Sequence, residues 1–253
     1  MKRTTLIATL IGGYVVFLVA SAPAWIATER IAAVTQGTVE FVAPEGSVWR
    51  GAASMRIAGT PLERVEWSFQ PQRLLFGELA YALRVADPAA NGAMVAARGF
   101  TDWRFHELSA DAQAGLVARW LPLLGAFAPG GQMRVDAQRL AFDGKSIEGQ
   151  AKLQWLAAEL SVSDVRPLGD YSAEVTMRGG GADYTVKTQA GTLRLAGRGT
   201  FQPPMRWTFQ GEAAAAPDAL PRLQGILKLM GAVNTNANGA NDKGLYVINH
   251  GPR

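Results

Sequence analysis

The chain has 253 residues, 48% of them apolar and 18% charged, with a net charge of +4 and no cysteine. That composition suits a folded chain of one or two domains and is too apolar for a disordered one. The missing cysteine excludes disulfides, thiolate metal sites and a cysteine nucleophile, and the singly scattered Lys and Arg residues argue against a nucleic-acid partner.

After Lys2 and Arg3 no charge appears until Glu29, and Thr4 to Ala22 is an unbroken run of apolar or small residues. As a helix such a run rises about 28 Å, close to the roughly 30 Å hydrocarbon core of a bilayer. The expectation is an uncleaved transmembrane anchor over 4–22. Lys2 and Arg3 place residues 1–3 in the cytoplasm by the positive-inside rule, Trp25 falls at the interface, and the rest of the chain is exported. The competing reading is a signal peptide cleaved after Ala20-Ser21-Ala22. Against it, the run is longer than a signal core of about 7 to 15 residues, and Pro23 hinders cleavage at that bond.

A stem follows over 23–36, helical from Trp25 to Val34. Alternating apolar positions then predict strands through Val39, Phe41 and Ala43, through Met55 and Ile57, through Val65, Trp67 and Phe69, and through Leu79, Tyr81, Leu83 and Val85. Pro44-Glu45-Gly46, Gly59-Thr60-Pro61 and the stretch from Pro71 to Gly77 separate them as turns. Connections this short suit an antiparallel meander and cannot hold the crossovers of a parallel sheet. Ser109 reads as the N-cap of a helix over 109–121, which Pro122 ends, so that Leu116, Trp120, Leu121, Leu123, Leu124 and Phe127 could close one end of the sheet. Strands resume after Pro129-Gly130-Gly131, with a hairpin turn at Gly179-Gly180-Gly181. A short helix over 218–230 and a last strand from Leu245 to Asn249 finish the chain.

Two phrase pairs suggest an internal repeat. Gly51 to Ile57 and Gly149 to Trp155 both read Gly-x-Ala-x-apolar-x-apolar, and Gly77 to Val85 matches Gly169 to Met177 in its glycine, its acid and its alternation. The expectation is two related β units, 37–128 and 129–253, with a shortened loop absorbing the drift between the pairs.

Little in the sequence announces chemistry. His106 and His250 stand alone, and His106 with Glu107 cannot converge on a metal because neighbours on a strand point to opposite faces. No nucleophile elbow, P-loop or His-Glu-x-x-His occurs, and the dinucleotide-like start at Gly197-Arg198-Gly199 lacks its third glycine. Asn234-Thr235-Asn236-Ala237-Asn238-Gly239 imitates the start of a calcium loop, but Leu245 stands where the bidentate Glu belongs. Trp49, Trp67, Trp155 and Trp207 lie in alternating strands or beside them, as core packing or as an exposed groove or interface. The reading is a non-enzyme without cofactor or metal.

Three motifs together resemble the type II secretion system protein N family: Gly46-x-Val48-Trp49-x-Gly51-x-Ala53; Val65-x-Trp67 followed by Pro71, Leu74, Leu75 and Gly77; and Gly149-x-Ala151-x-Leu153-x-Trp155. The resemblance covers nearly the whole chain. It implies an inner-membrane component of a Gram-negative secretion apparatus, with a small cytoplasmic N-terminus and a periplasmic domain. That domain is expected to be mainly β, a long curved antiparallel sheet like those of AsmA-like envelope proteins. The family has no catalytic residues to carry over; Trp49, Gly51, Trp67, Pro71, Gly77, Gly149 and Trp155 are its motif and the candidate interface. The expected role is a non-enzymatic accessory component of type II secretion, acting in export across the outer membrane through contacts with other secretion subunits. The alternative is a periplasmic lipid-binding or lipid-transfer protein with a groove-forming sheet.

Overall fold

A computed structural model describes residues 2–120, 125–203, 206–230, 232–233 and 245–250, without the side chains of residues 2–6, 8–9, 229–230, 232–233, 245 and 250. The fold is mainly β with antiparallel strand pairing, as expected, and a few short helices. Two compact units divide between Asp87 and Pro88, earlier in the chain than the 128/129 division read from the sequence.

The first unit opens with helices α1 (Lys2–Ala20) and α2 (Ala24–Val34), separated at Pro23, whose missing N–H cannot continue the first helix. Among the described residues no helix is long and apolar enough to cross a membrane. Strands β1 (Val39–Gly46), β2 (Arg50–Ile57), β3 (Thr60–Phe69) and β4 (Leu79–Asp87) follow as a meander, each paired with the next. A 3-10 turn, Pro71–Phe76, joins β3 to β4. Leu62, Val65 and Ala80 are buried, while Glu63 and Arg64 face solvent.

The second unit holds β5 (Ala90–Arg98), β6 (Trp103–Gln113), helix α3 (Ala114–Trp120), β7 (Gly130–Phe142), β8 (Ile147–Glu159), β9 (Gly169–Arg178), β10 (Gly181–Gly191), β11 (Leu193–Gln202), β12 (Arg206–Ala215), helix α4 (Leu220–Met230), β13 (Ala232–Val233) and β14 (Leu245–His250). From β5 to β12 the strands lie in sequence order, and β14 pairs with β12 and carries β13 outside it. The β9–β10 hairpin turns on Gly179 and Gly180, both with positive φ (56° and 80°), the backbone that a two-residue turn of matching twist requires. At the β7–β8 turn Asp143 accepts backbone N–H bonds from Ser146 and Lys145, each at 2.8 Å, and these hold its carboxyl below the ordinary range.

The core of this unit lies under α4. Leu223 and Leu227, four residues apart and so on one helix face, are fully buried with Ile226 against Leu168, Leu193, Phe209, Tyr246 and Ile248. Along β7 to β12 the strands alternate. One face carries Val135, Leu153, Ala173, Val186 and Gly197 as successive cross-strand partners; the other carries Asp136, Lys152, Glu174, Thr185, Arg198 and Gln210.

Two expectations need correction. Residues 109–113 are the end of β6, and the helix begins only at Ala114. Pairing with both β5 and β7 holds that segment extended, with Ser109 Oγ donating to Asp136 Oδ1 (2.8 Å) and Arg134 Nη2 to Asp111 Oδ1 (2.9 Å). Of the residues meant to close the sheet end, Leu116 is buried in α3 and Phe127 is exposed, while Leu121, Leu123 and Leu124 lie outside the described residues. The repeat also fails in strand order. The strands after Gly51 and Gly77 are separated by β3, whereas those of Gly149 and Gly169 are direct neighbours, and a shortened loop cannot remove a strand. The calcium-like segment 234–239 lies outside the described residues.

Candidate functional site

Five motif residues meet at one end of the first unit. Gly46 and Gly51 face each other where β1 turns into β2. A Cβ added at Gly51 would fall 2.4 Å from the Glu45 carbonyl oxygen and 2.5 Å from Trp67 Cζ2, so the absent side chain makes room for the indole of the next strand. Trp67 roofs the turn, its Nε1 donating to the Ser47 carbonyl at 3.0 Å, and its ring meets Phe41 edge-on at 6.2 Å. Trp49 turns the other way. Its Nε1 donates to the Val19 carbonyl in the last turn of α1 (2.8 Å), and the Val48 N–H donates to the Ala22 carbonyl (2.9 Å). The Trp49 ring packs on Phe69 at 5.0 Å, and Phe69 on Tyr81 at 5.5 Å.

Pro71 and Gly77 bracket the 3-10 turn. Pro71 sits in its first turn, where a missing N–H costs nothing, and Gly77 closes it in the left-handed conformation (φ 72°), returning its N–H to the Leu74 carbonyl. Arg73 reaches Glu78 at 3.1 Å, and Glu78 is buried. Outward go Leu74, Leu75 and Phe76, the last two 86% and 80% exposed. The resemblance marked Leu74 and Leu75 but gave the tip no meaning. Its signal was three consecutive apolar residues within a turn cluster, a pattern that water selects against.

Gly149 and Trp155 belong to the second unit, on β8. A Cβ on Gly149 (φ 140°) would meet the Arg139 carbonyl oxygen at 2.5 Å, so glycine there permits a close approach beside the irregular β7–β8 pairing. Trp155 donates from Nε1 to the Gly130 carbonyl (2.8 Å) and packs on Tyr171 at 6.3 Å. Tyr171 donates its O–H to the Leu193 carbonyl at 2.9 Å, and burial, with the Asp170 charge adding to it, pushes its phenol well up. The indoles of Trp67, Trp49 and Trp155 thus each satisfy a backbone carbonyl distant in sequence. These are structural ties, and three of the motif's anchors hold chain segments together.

The polar ladder of the second unit escaped the sequence reading because its members are the ordinary outward residues of alternating strands. Only the register brings Asp136, Lys152 and Glu174 side by side with alternating sign. Open depressions of about 980, 630 and 490 Å³ lie along this face, with Asp136, Lys152, Glu174, Lys187, Arg198 and Glu212 in their linings. Among the described residues no three His, Asp or Glu side chains gather as a metal site.

A family model described as "Type II secretion system (T2SS), protein N" matches residues 37–240. No curated protein and no solved structure matches the chain.

Proposed function

The chain belongs to the type II secretion system protein N family, and from that premise we propose that it is a non-enzymatic accessory component of type II secretion, held in the inner membrane by residues 4–22, with its antiparallel sheet in the periplasm. The family match over most of the chain carries this reading. Supporting the anchor are the uncharged run from Thr4 to Ala22 and the outward-facing side chains of α1, where Leu10, Ile11, Val15, Val16, Phe17, Leu18 and Val19 are all exposed. A helix apolar on every side needs burial in protein or in lipid. Its partners are other secretion subunits, met through periplasmic protein contacts in which the mixed-charge face of β7 to β12 supplies specificity more than affinity. The lipid-carrier reading is not favoured, because charged residues recur along the depressions on that face, a poor lining for acyl chains.

The test is capture of the full chain, crosslinked in cells expressing the complete secretion operon, with mass spectrometry of proteins and lipids in the same sample. The reading expects another secretion subunit at the crosslinked sites. Capture of no subunit, with stoichiometric lipid on the segment beyond residue 22, would overturn it in favour of the carrier.

A further inference from the structure

The Pro71–Phe76 turn exposes three apolar side chains, and its position in the first unit says what covers them. The Val19 carbonyl accepts from Trp49 Nε1 at 2.8 Å and the Ala22 carbonyl from the Val48 N–H at 2.9 Å, which fastens the β1–β2 turn to the end of α1. Trp49 packs on Phe69 with ring centroids 5.0 Å apart, and the Phe69 N–H donates to the Trp49 carbonyl at 2.7 Å. Phe69 ends β3, and the 3-10 turn starts two residues later at Pro71. The turn therefore opens at the end of the sheet that is tied to the exit of α1.

The turn is also built to keep its apolar residues outward. Arg73 is drawn to the buried Glu78, the Glu78 N–H returns to the Arg73 carbonyl at 3.1 Å, and Gly77 fixes the closure. The charges point in and Leu74, Leu75 and Phe76 point out, the reverse of the arrangement water favours. Apolar groups at such a position are at home about 5–10 Å into the boundary between headgroups and acyl chains.

We propose that Leu74, Leu75 and Phe76 insert into the surface of the bilayer that holds α1, so that the first unit touches the membrane at two points and cannot swing freely on its anchor. This rests on the anchor reading given above. The chain has no cysteine, so single labels are site-specific. The full chain carrying Leu75→Cys, Phe17→Cys or Arg56→Cys is labelled with nitrobenzoxadiazole. Each variant is reconstituted in vesicles of phosphatidylethanolamine and phosphatidylglycerol, with and without lipid bearing a nitroxide near the headgroup end of an acyl chain. Leu75 is largely exposed, so its replacement removes little packing. The expected result is blue-shifted, nitroxide-quenched emission from Leu75→Cys and from Phe17→Cys, with water-like emission from Arg56→Cys, an exposed residue paired near the far end of β2 and β3. A water-like Leu75 label beside a quenched Phe17 label overturns the proposal and leaves the anchor standing. Water-like emission at both positions overturns the anchor and the proposal with it. A blue-shifted Leu75 label that the nitroxide does not quench means that protein, such as a second copy of this chain, covers the turn, and this also overturns the proposal.

Discussion

Trp49 is held by two kinds of contact that substitution can separate. Trp49→Phe keeps the ring on Phe69 and loses the bond to the Val19 carbonyl, so it should cost about 0.5–1.5 kcal/mol in a denaturant titration, and Trp49→Ala more. Gly51→Val drives side-chain atoms into the Glu45 carbonyl and the Trp67 ring, and the same titration should register a loss of about 1–3 kcal/mol. Tyr171 gives a pH test. Its folded phenol is raised above the unfolded value of about 10, so the stability it contributes is complete below about pH 10 and is lost as pH rises further. Melting temperatures of Tyr171→Phe should therefore be lower than those of the parent at neutral pH, and the gap should narrow in alkali; a gap independent of pH would show that the phenol is not perturbed. The motif tryptophans and glycines were legible in sequence, but their partners were not, because Val19, Ser47 and Gly130 contribute backbone carbonyls, which carry no side-chain signal.

At the scale of the element, alternation of large apolar residues revealed strands such as β3, β4 and β9. It went unrecognised in β5, whose Ala- and Gly-rich residues from Ala90 to Ala97 give little contrast between faces. Ser109 looked like a helix cap because its local propensity is that of a cap, yet pairing with β5 and β7 holds the segment extended, and β7 residues engage the side chains of Ser109 and Asp111 in cross-strand bonds. Tertiary pairing overrode local preference there. Helix α4 lies within the short helix read over 218–230, and its weight can be measured. Leu223→Ala, at a fully buried position, should cost about 2–5 kcal/mol by chemical denaturation, whereas Leu75→Ala, at an exposed one, should stay within about 0.5 kcal/mol. Equal losses at the two positions would mean that α4 is not part of the core.

At the scale of the molecule, family membership was readable in the order of three weak motifs, and the matched region runs from residue 37 to 240. The sheet's mainly β, antiparallel character followed from alternation and short turns. What sequence could not supply was register, and register alone assembles the mixed-charge face that we assign to protein contacts. With the anchor and periplasmic placement that we propose, the account is one of an export component working from the inner membrane. The most direct measurement is the distribution of a type II substrate between periplasm and medium in cells lacking this chain, in cells restored with it, and in cells given a form without residues 2–22. The account predicts periplasmic accumulation on loss, recovery with the full chain and no recovery with the form lacking the anchor. Normal export in the absence of the chain would contradict it.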